Sequence, residues 1–560
     1  MKNILMKVRR YRCKRVFYAL AASAICASCL HLSSGSANGQ QVPYVPRHEQ
    51  TNVILISLQC LRPDHLGLYG YQRDTSPHID ALAETSVVFD NAIAQANLTP
   101  VAQMSVLTSQ YPRVNGMISF EVTPEAVTQR TMPSILKVYN YATAAIVSSP
   151  EFFLRFDTDA GTMVNPGDVF SRSFDYFGRT KRGPGGRSLR RVPEEALHWL
   201  KANKDKKFFL WIASGLNHMP YGATVPSPYK TKYDPKGYVP FWKHLPGESW
   251  KDAPDDPSYD VFSRVFGKDF FWGFSPVHRL TEEDIAFVNG RYDAGVYYTD
   301  LFIGELMALL DSLELKEKTL IVLHSIHGED LGEGGRYFHY DVTDTVVRNA
   351  LLMRFPKGEL GGRRVKEQVQ GLDILPTVLD YLEIPAPPDA QGTSLLPFLQ
   401  GDRSAAPPEF TYIERMPWWE YTLHKWYLEF KNETGAHFSA LEKERLPAYQ
   451  ALLKARFAEL GYPPGDIAIR SNDWKLIYRK NKNLYEKVSW KNFITGKNEK
   501  AAEVELYDLR KDPLETKNVA GDNPETATRL KAKLLEWDAS IEKQKARRGK
   551  GDKRLLIPYP

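Results

Sequence analysis

Four short stretches of this 560-residue chain collect the side chains with chemistry to offer. They are Gln59-Cys60-Leu61-Arg62-Pro63-Asp64-His65, Leu98-Thr99-Pro100-Val101-Ala102-Gln103, Asn217-His218-Met219-Pro220-Tyr221 and His324-Ser325-Ile326-His327-Gly328-Glu329-Asp330. A hydroxyl such as that of Thr99 is a working nucleophile only beside a base or metal ions that take its proton. Cys60, His324, His327 and His339 together offer the sulfur and nitrogen donors that a soft metal takes, although nothing in their spacing requires one. A hard cation would need charged oxygens, and Glu329 and Asp330 are the carboxylates near these stretches that could swing in to supply them. A histidine after a strand, such as His218, is as often structural as functional.

Three of the four stretches follow a short apolar run. Asn52-Val53-Ile54-Leu55-Ile56-Ser57-Leu58 precedes the first, residues 207–213 precede His218, and Leu320-Ile321-Val322-Leu323 precedes His324. Further runs lie at 143–147 and 349–355. Nearly continuous apolar runs of this length read as strands buried on both faces. Between them, Thr75-Ser76-Pro77 opens a helix through residues 79–83, and apolar residues at 296, 303, 306, 309 and 310 predict a long helix over 291–313. Strands alternating with helices predict an α/β fold with a mostly parallel sheet, whose ligands gather beyond the strand ends. A second unit after about Gly401 reads as antiparallel strands over 467–470, 474–478 and 503–508, then a helix from about Pro524 to Glu542.

The stretches follow one another in a familiar order. With Thr75-Ser76-Pro77-His78, Ser105-Val106-Leu107-Thr108, residues 369–377, residues 391–397 and Glu505-Leu506-Tyr507-Asp508, they closely resemble the sulfatase family of the alkaline-phosphatase superfamily, from about Asn52 to about Trp537. The resemblance implies an α/β sandwich with a mostly parallel central sheet and a smaller C-terminal antiparallel-sheet domain. It also implies hydrolysis of sulfate esters with a divalent cation, usually calcium, and a formylglycine made from Cys or Ser. Carried over position by position, the metal-binding Asp of the first strand falls on Gln59, and the one after it on Cys60. The Asp before His-Gly falls on Ile326, with His327 retained. The nucleophile falls on Thr99, the motif proline on Val101 and the motif arginine on Gln103. Thr cannot become formylglycine by the usual route, because its Cβ carries a methyl group.

The site expected from this carry-over is therefore Thr99 and His218 as catalytic positions, Gln59 and His327 as a degenerate metal pair with Ile326 in place of an Asp, and His218, Arg62 and Gln103 toward a ligand. Asp64 and His65 are expected to be structural. The expected function is that of a catalytically degenerate family member that retains an anionic ligand, a sulfate or phosphate ester, or a partner. The alternative is an active sulfate or phosphate ester hydrolase or transferase using Thr99 and an atypical metal set. The first reading expects no cofactor, the second a divalent cation.

Charge places the ends of the chain. The net charge is +6, but residues 1–15 hold seven Lys or Arg and no acid, and residues 542–554 hold seven more against two acids, so residues 16–541 carry −6. The body is thus mildly acidic, which argues against a nucleic-acid partner. Residues 1–37 read as an export signal: a basic start, an apolar Ala-rich run, then small polar residues. Cleavage before Asn38 and lipidation at Cys29 are both open, as is an uncleaved helical anchor, so any membrane attachment is through the signal or a lipid. The expected location is periplasmic, secreted or lipid-anchored. Residues 38–50 read as a linker, 51–402 as the main domain, 403–541 as the C-terminal subdomain and 542–560 as a solvated basic tail. Two aromatic-rich insertions are expected. Residues 222–283 carry Trp242, Trp250, Phe270, Phe271 and Trp272; residues 404–466 carry Trp418, Trp419, Tyr421, Trp426, Tyr427 and Phe430. They read as satellite cores or as a binding platform.

Overall fold

Asn52–Leu58, buried at all seven positions, forms the centre of the molecule. It is β1 of an eight-stranded sheet in the computed structural model, which describes residues 50–118, 129–147, 166–179, 191–219, 221–222, 225–240, 280–339, 341–415, 466–480, 490–491, 498–499 and 502–549. The other strands are β2 (Val87–Ile93), β3 (Ala142–Val147), β4 (Tyr176–Arg179), β5 (Phe208–Ser214), β6 (Thr319–Ser325), β7 (Arg348–Arg354) and β8 (Arg363–Gln370). The order across the sheet is β8-β2-β7-β6-β1-β5-β3-β4. β1 runs parallel to both neighbours, Leu58 standing opposite Ser214 on β5 and Ser325 on β6. Only β7 runs antiparallel, to β2 and to β6. The register brings the ends of β1, β5 and β6 to one edge, which gathers three of the four chemistry-bearing stretches.

Side chains alternate across a strand, so β1 feeds two cores. Val53 and Leu55 face one, with the helix α2 (Thr99–Thr108); Ile54, Ile56 and Leu58 face the other. Four helices carry the argument: α1 (Pro77–Glu84), α2 (Thr99–Thr108), α3 (Glu282–Ser312) and α4 (Pro524–Gly549). α1 and α3 pack on the second core and α2 on the first, which makes an α/β/α sandwich. Every residue of α2 is buried. α3 starts nine residues before the apolar periodicity suggested, because Thr281 and Asp284 cap each other's backbone N–H groups in a capping box.

A second, four-stranded antiparallel sheet holds β9 (Thr411–Glu414), β10 (Ile467–Arg470), β11 (Trp474–Tyr478) and β12 (Val504–Asp508) in that order. α4 packs on it through Leu530, Leu534 and Trp537. This helix corrects the expected boundary at Glu542: it runs on to Gly549, into the segment read as a solvated tail. Gln, Lys, Ala and Arg favour helix, so charge alone did not end it. Among the described residues no helix is long and apolar enough to cross a membrane. The export signal and the named aromatic residues of both insertions lie outside the described residues.

Candidate functional site

Thr99 stands in the first turn of α2, and its hydroxyl links two of the converging strand ends. Gln59 Nε2, just past β1, donates to Thr99 Oγ1 at 2.5 Å. Thr99 Oγ1 lies 2.9 Å from His327 Nε2, just past β6. His327 Nδ1 lies 2.9 Å from the Gly328 carbonyl, so Nδ1 carries the hydrogen and Nε2 the lone pair. The donors therefore run one way, from Gln59 to Thr99 to His327. All three side chains are buried, and burial, then the neighbouring charge of His339, holds the His327 imidazole neutral, well below the usual histidine value.

A second group lies beside this chain. Cys60 takes φ 56°, a left-handed conformation that crowds any side chain beyond glycine. The Tyr292 hydroxyl of α3 donates to its carbonyl at 2.6 Å, and the Tyr292 oxygen in turn accepts from Arg62 N at 2.9 Å. Cys60 Sγ lies 3.9 Å from His339 Nδ1 and 4.0 Å from His327 Nδ1. The His339 ring is 4.4 Å from that of His327 and 5.4 Å from that of His218. Glu329 is buried among them: one carboxylate oxygen accepts from Tyr221 at 2.7 Å, the other from His339 Nδ1 at 2.9 Å. Burial opposes its charge, but the imidazoles of His339 and His218 and the thiol of Cys60 bring its pKa down to about 2.

The remaining expected residues are placed as follows. His324 is not in the cluster with Cys60: it bonds Ser57 Oγ at 2.8 Å and the Ser325 carbonyl at 2.7 Å, and burial lowers it to about 4. It sits within β6, on its own network with Trp211, so the four-residue soft set read from sequence loses His324 and His327 and gains His218. Arg62 is buried and bonds Asp64, Glu333 and the Glu329 carbonyl, which turns its guanidinium toward protein carboxylates rather than a ligand. His65 bonds Asp293 at 2.6 Å, in keeping with a structural place for it. Gln103 is buried one turn along α2 from Thr99, and neither end of its amide has a protein partner. Ile326 is buried in the first apolar core. Asp330 turns away to Thr343 and Thr345, with burial raising it to about 6. Of the two carboxylates that might have replaced the missing ones, only Glu329 reaches the site. Tyr221 and Tyr292 had no signal in residue spacing, because their partners come from distant stretches, and the pairing of Glu329 with His339 depends on the turn of the short hairpin between them.

The donor set does not suit calcium. A hard cation takes several carboxylate or carbonyl oxygens. Here one expected carboxylate is apolar Ile326, another is an amide that donates toward Thr99, and His327 offers nitrogen already facing Thr99.

The family model described as Sulfatase matches residues 51–384. The chain belongs to the sulfatase family. This sulfatase-family chain is 23% identical to the N-acetylglucosamine-6-O-sulfatase of Bacteroides thetaiotaomicron over 570 aligned positions, covering 91% of this chain and 92% of that one. It is 24% identical to mouse iduronate 2-sulfatase, covering 60% of this chain and 69% of the other. The fold matches the phosphonate monoester hydrolase of Agrobacterium radiobacter with TM-score 0.60 and 19% identity, covering 88% of this chain and 96% of that one. It also matches, with TM-score 0.55 and 19% identity over 88% and 98%, a protein solved with its substrate D-glucosamine-2-N,6-O-disulfate.

Proposed function

We propose that this chain is an exported member of the sulfatase family that has lost the calcium and formylglycine chemistry while keeping the pocket. The observation that carries the reading is the Gln59–Thr99–His327 chain, which satisfies with neutral hydrogen bonds the place where the family sets a charged metal site. Ile326 supports it from the other side, since an apolar side chain sealed in the core contributes no ligand. Both curated relatives named above are sulfatases named for sugars, and one solved neighbour holds a sulfated glucosamine as its substrate, so a sulfated sugar is the ligand class to try first. Export rests on residues 1–37 and is tested by locating the protein in fractionated cells.

One observation favours a second reading, an ester hydrolase working through Thr99. Its hydroxyl faces the lone pair of His327 Nε2, the arrangement of a nucleophile and its base. Against it, both groups are buried, and an imidazole held this far toward neutrality is a poor proton acceptor. Assays with aryl sulfate, aryl phosphate and glucosamine 6-sulfate separate the two. The first reading expects no turnover above background with added calcium. Turnover that Thr99→Ala abolishes would establish the second.

A further inference from the structure

We propose that Cys60, His218 and His339 bind a borderline-soft divalent ion of the zinc class, with one coordination position left open. The inference goes beyond the reading above, because loss of calcium chemistry stands whether or not this site is filled. One donor atom from each of the three residues lies within 4.8 Å of the other two. Around a tetrahedral zinc ion, sulfur and nitrogen ligands stand about 3.5 Å apart. Donor atoms within 4.8 Å of one another are thus within a side-chain adjustment of such a site.

The hydrogen bonds around the cluster have the form that metal sites use. A ligating histidine gives its other ring N–H to a carbonyl or a carboxylate, which fixes the tautomer. His218 Nδ1 faces the Met219 carbonyl at 2.7 Å, and His339 Nδ1 faces the Glu329 carboxylate at 2.9 Å. Both contacts require the hydrogen on Nδ1, which puts the lone pair on Nε2 in each ring. Glu329 adds a buried negative charge beside the ion, and Tyr221 fixes that carboxylate through its second oxygen. His327 is not a fourth ligand, since both its nitrogens are engaged by Thr99 and Gly328. Three protein donors of this kind, two imidazoles and a thiol, suit zinc and not calcium or magnesium.

The left-handed backbone at Cys60 and at Phe338, the residue before His339, turns these two side chains out of their strand and hairpin paths. Phe338 φ is 68°, at the end of a two-residue hairpin formed by Asp330–Leu331 and Tyr337–Phe338.

The test uses the full chain, stripped with chelator and titrated with Zn2+, Co2+ and Ca2+ in separate arms. The expected result is one equivalent of Zn2+ and of Co2+, with a thiolate-to-cobalt charge-transfer band. Cys60→Ser should abolish the band and weaken Zn2+ binding at least ~100-fold, and Glu329→Gln should weaken it roughly 10–100-fold. His324→Asn, in the neighbouring but separate network, should leave affinity unchanged, which separates ligand loss from general damage to the fold. Absence of stoichiometric Zn2+, or cobalt binding that Cys60→Ser does not alter, would overturn the proposal. Tight Ca2+ binding would instead overturn the preceding reading.

Discussion

Two polar regions of this molecule are built on opposite principles. At the strand ends, Gln59, Thr99 and His327 meet without a formal charge among them. At the seam between the two sheets, charge is concentrated. Arg470 bonds Asp344 at 2.7 Å, and Lys475 bridges Asp344 at 3.1 Å and Glu515 at 2.9 Å. Arg479 joins Asp341, Asp466 and Glu505 at 2.8–3.0 Å. Burial opposes charge on Asp341 and Asp344, yet Arg479 and Arg415 on one, Arg470 and Lys475 on the other, hold both carboxyls well below the usual range. Each acid of the seam faces a cation, whereas Gln59 and Ile326 stand where the family resemblance leads one to expect acids. A buried carboxylate survives only with its partner. The difference teaches that a buried polar site can be satisfied by paired charges, as at the seam, or by neutral hydrogen bonds beside an aliphatic chain, as at Gln59, Thr99 and Ile326.

This contrast predicts a ranking of substitutions. Arg479→Met removes the cation shared by Asp341, Asp466 and Glu505, leaving only Arg415 against the first two, and should cost about 3–5 kcal/mol, read from urea unfolding. Ile326→Asp restores the expected acid to a core position without its ion. It should destabilise by about 2–4 kcal/mol, and millimolar calcium should not restore the loss. Rescue by calcium would show that the remaining donors suffice. Thr99→Val leaves Gln59 Nε2 and His327 Nε2 facing a methyl group and should cost about 1–3 kcal/mol. The seam should also dominate acid unfolding. Asp341 and Asp344 have folded values below the ordinary 3.8, so the unfolded chain binds more protons in acid. Their stabilisation is whole above about pH 4 and drains as pH falls further. Asp344→Asn should flatten that acid limb, whereas Thr99→Val should leave its slope unchanged.

Much of the fold was legible because burial on both faces writes itself as an apolar run. Asn52–Leu58 and Ile467–Arg470 fall where the residues predict. β2 and β8 were not foreseen: Val87–Ile93 is broken by Asp90 and Asn91, and Arg363–Gln370 carries an exposed, charged first half at the sheet edge. At the site, motif positions located Thr99, Gln59, Ile326 and His327, since each follows a recognisable stretch. They did not reveal that Arg62 would be consumed by Asp64 and Glu333, or that His218 would replace His324 beside Cys60. Those facts depend on which way side chains turn at a strand end, and a period of two leaves that open once the strand stops.

The central claim is that the family's hard-cation site no longer exists in this chain. Calorimetric titration of calcium into the chelator-treated protein, run beside a sulfatase of the family that binds it, tests this most directly. The account predicts no saturable heat at millimolar calcium and no shift in the unfolding midpoint. Saturable binding at micromolar calcium, lost in Gln59→Ala, would contradict it.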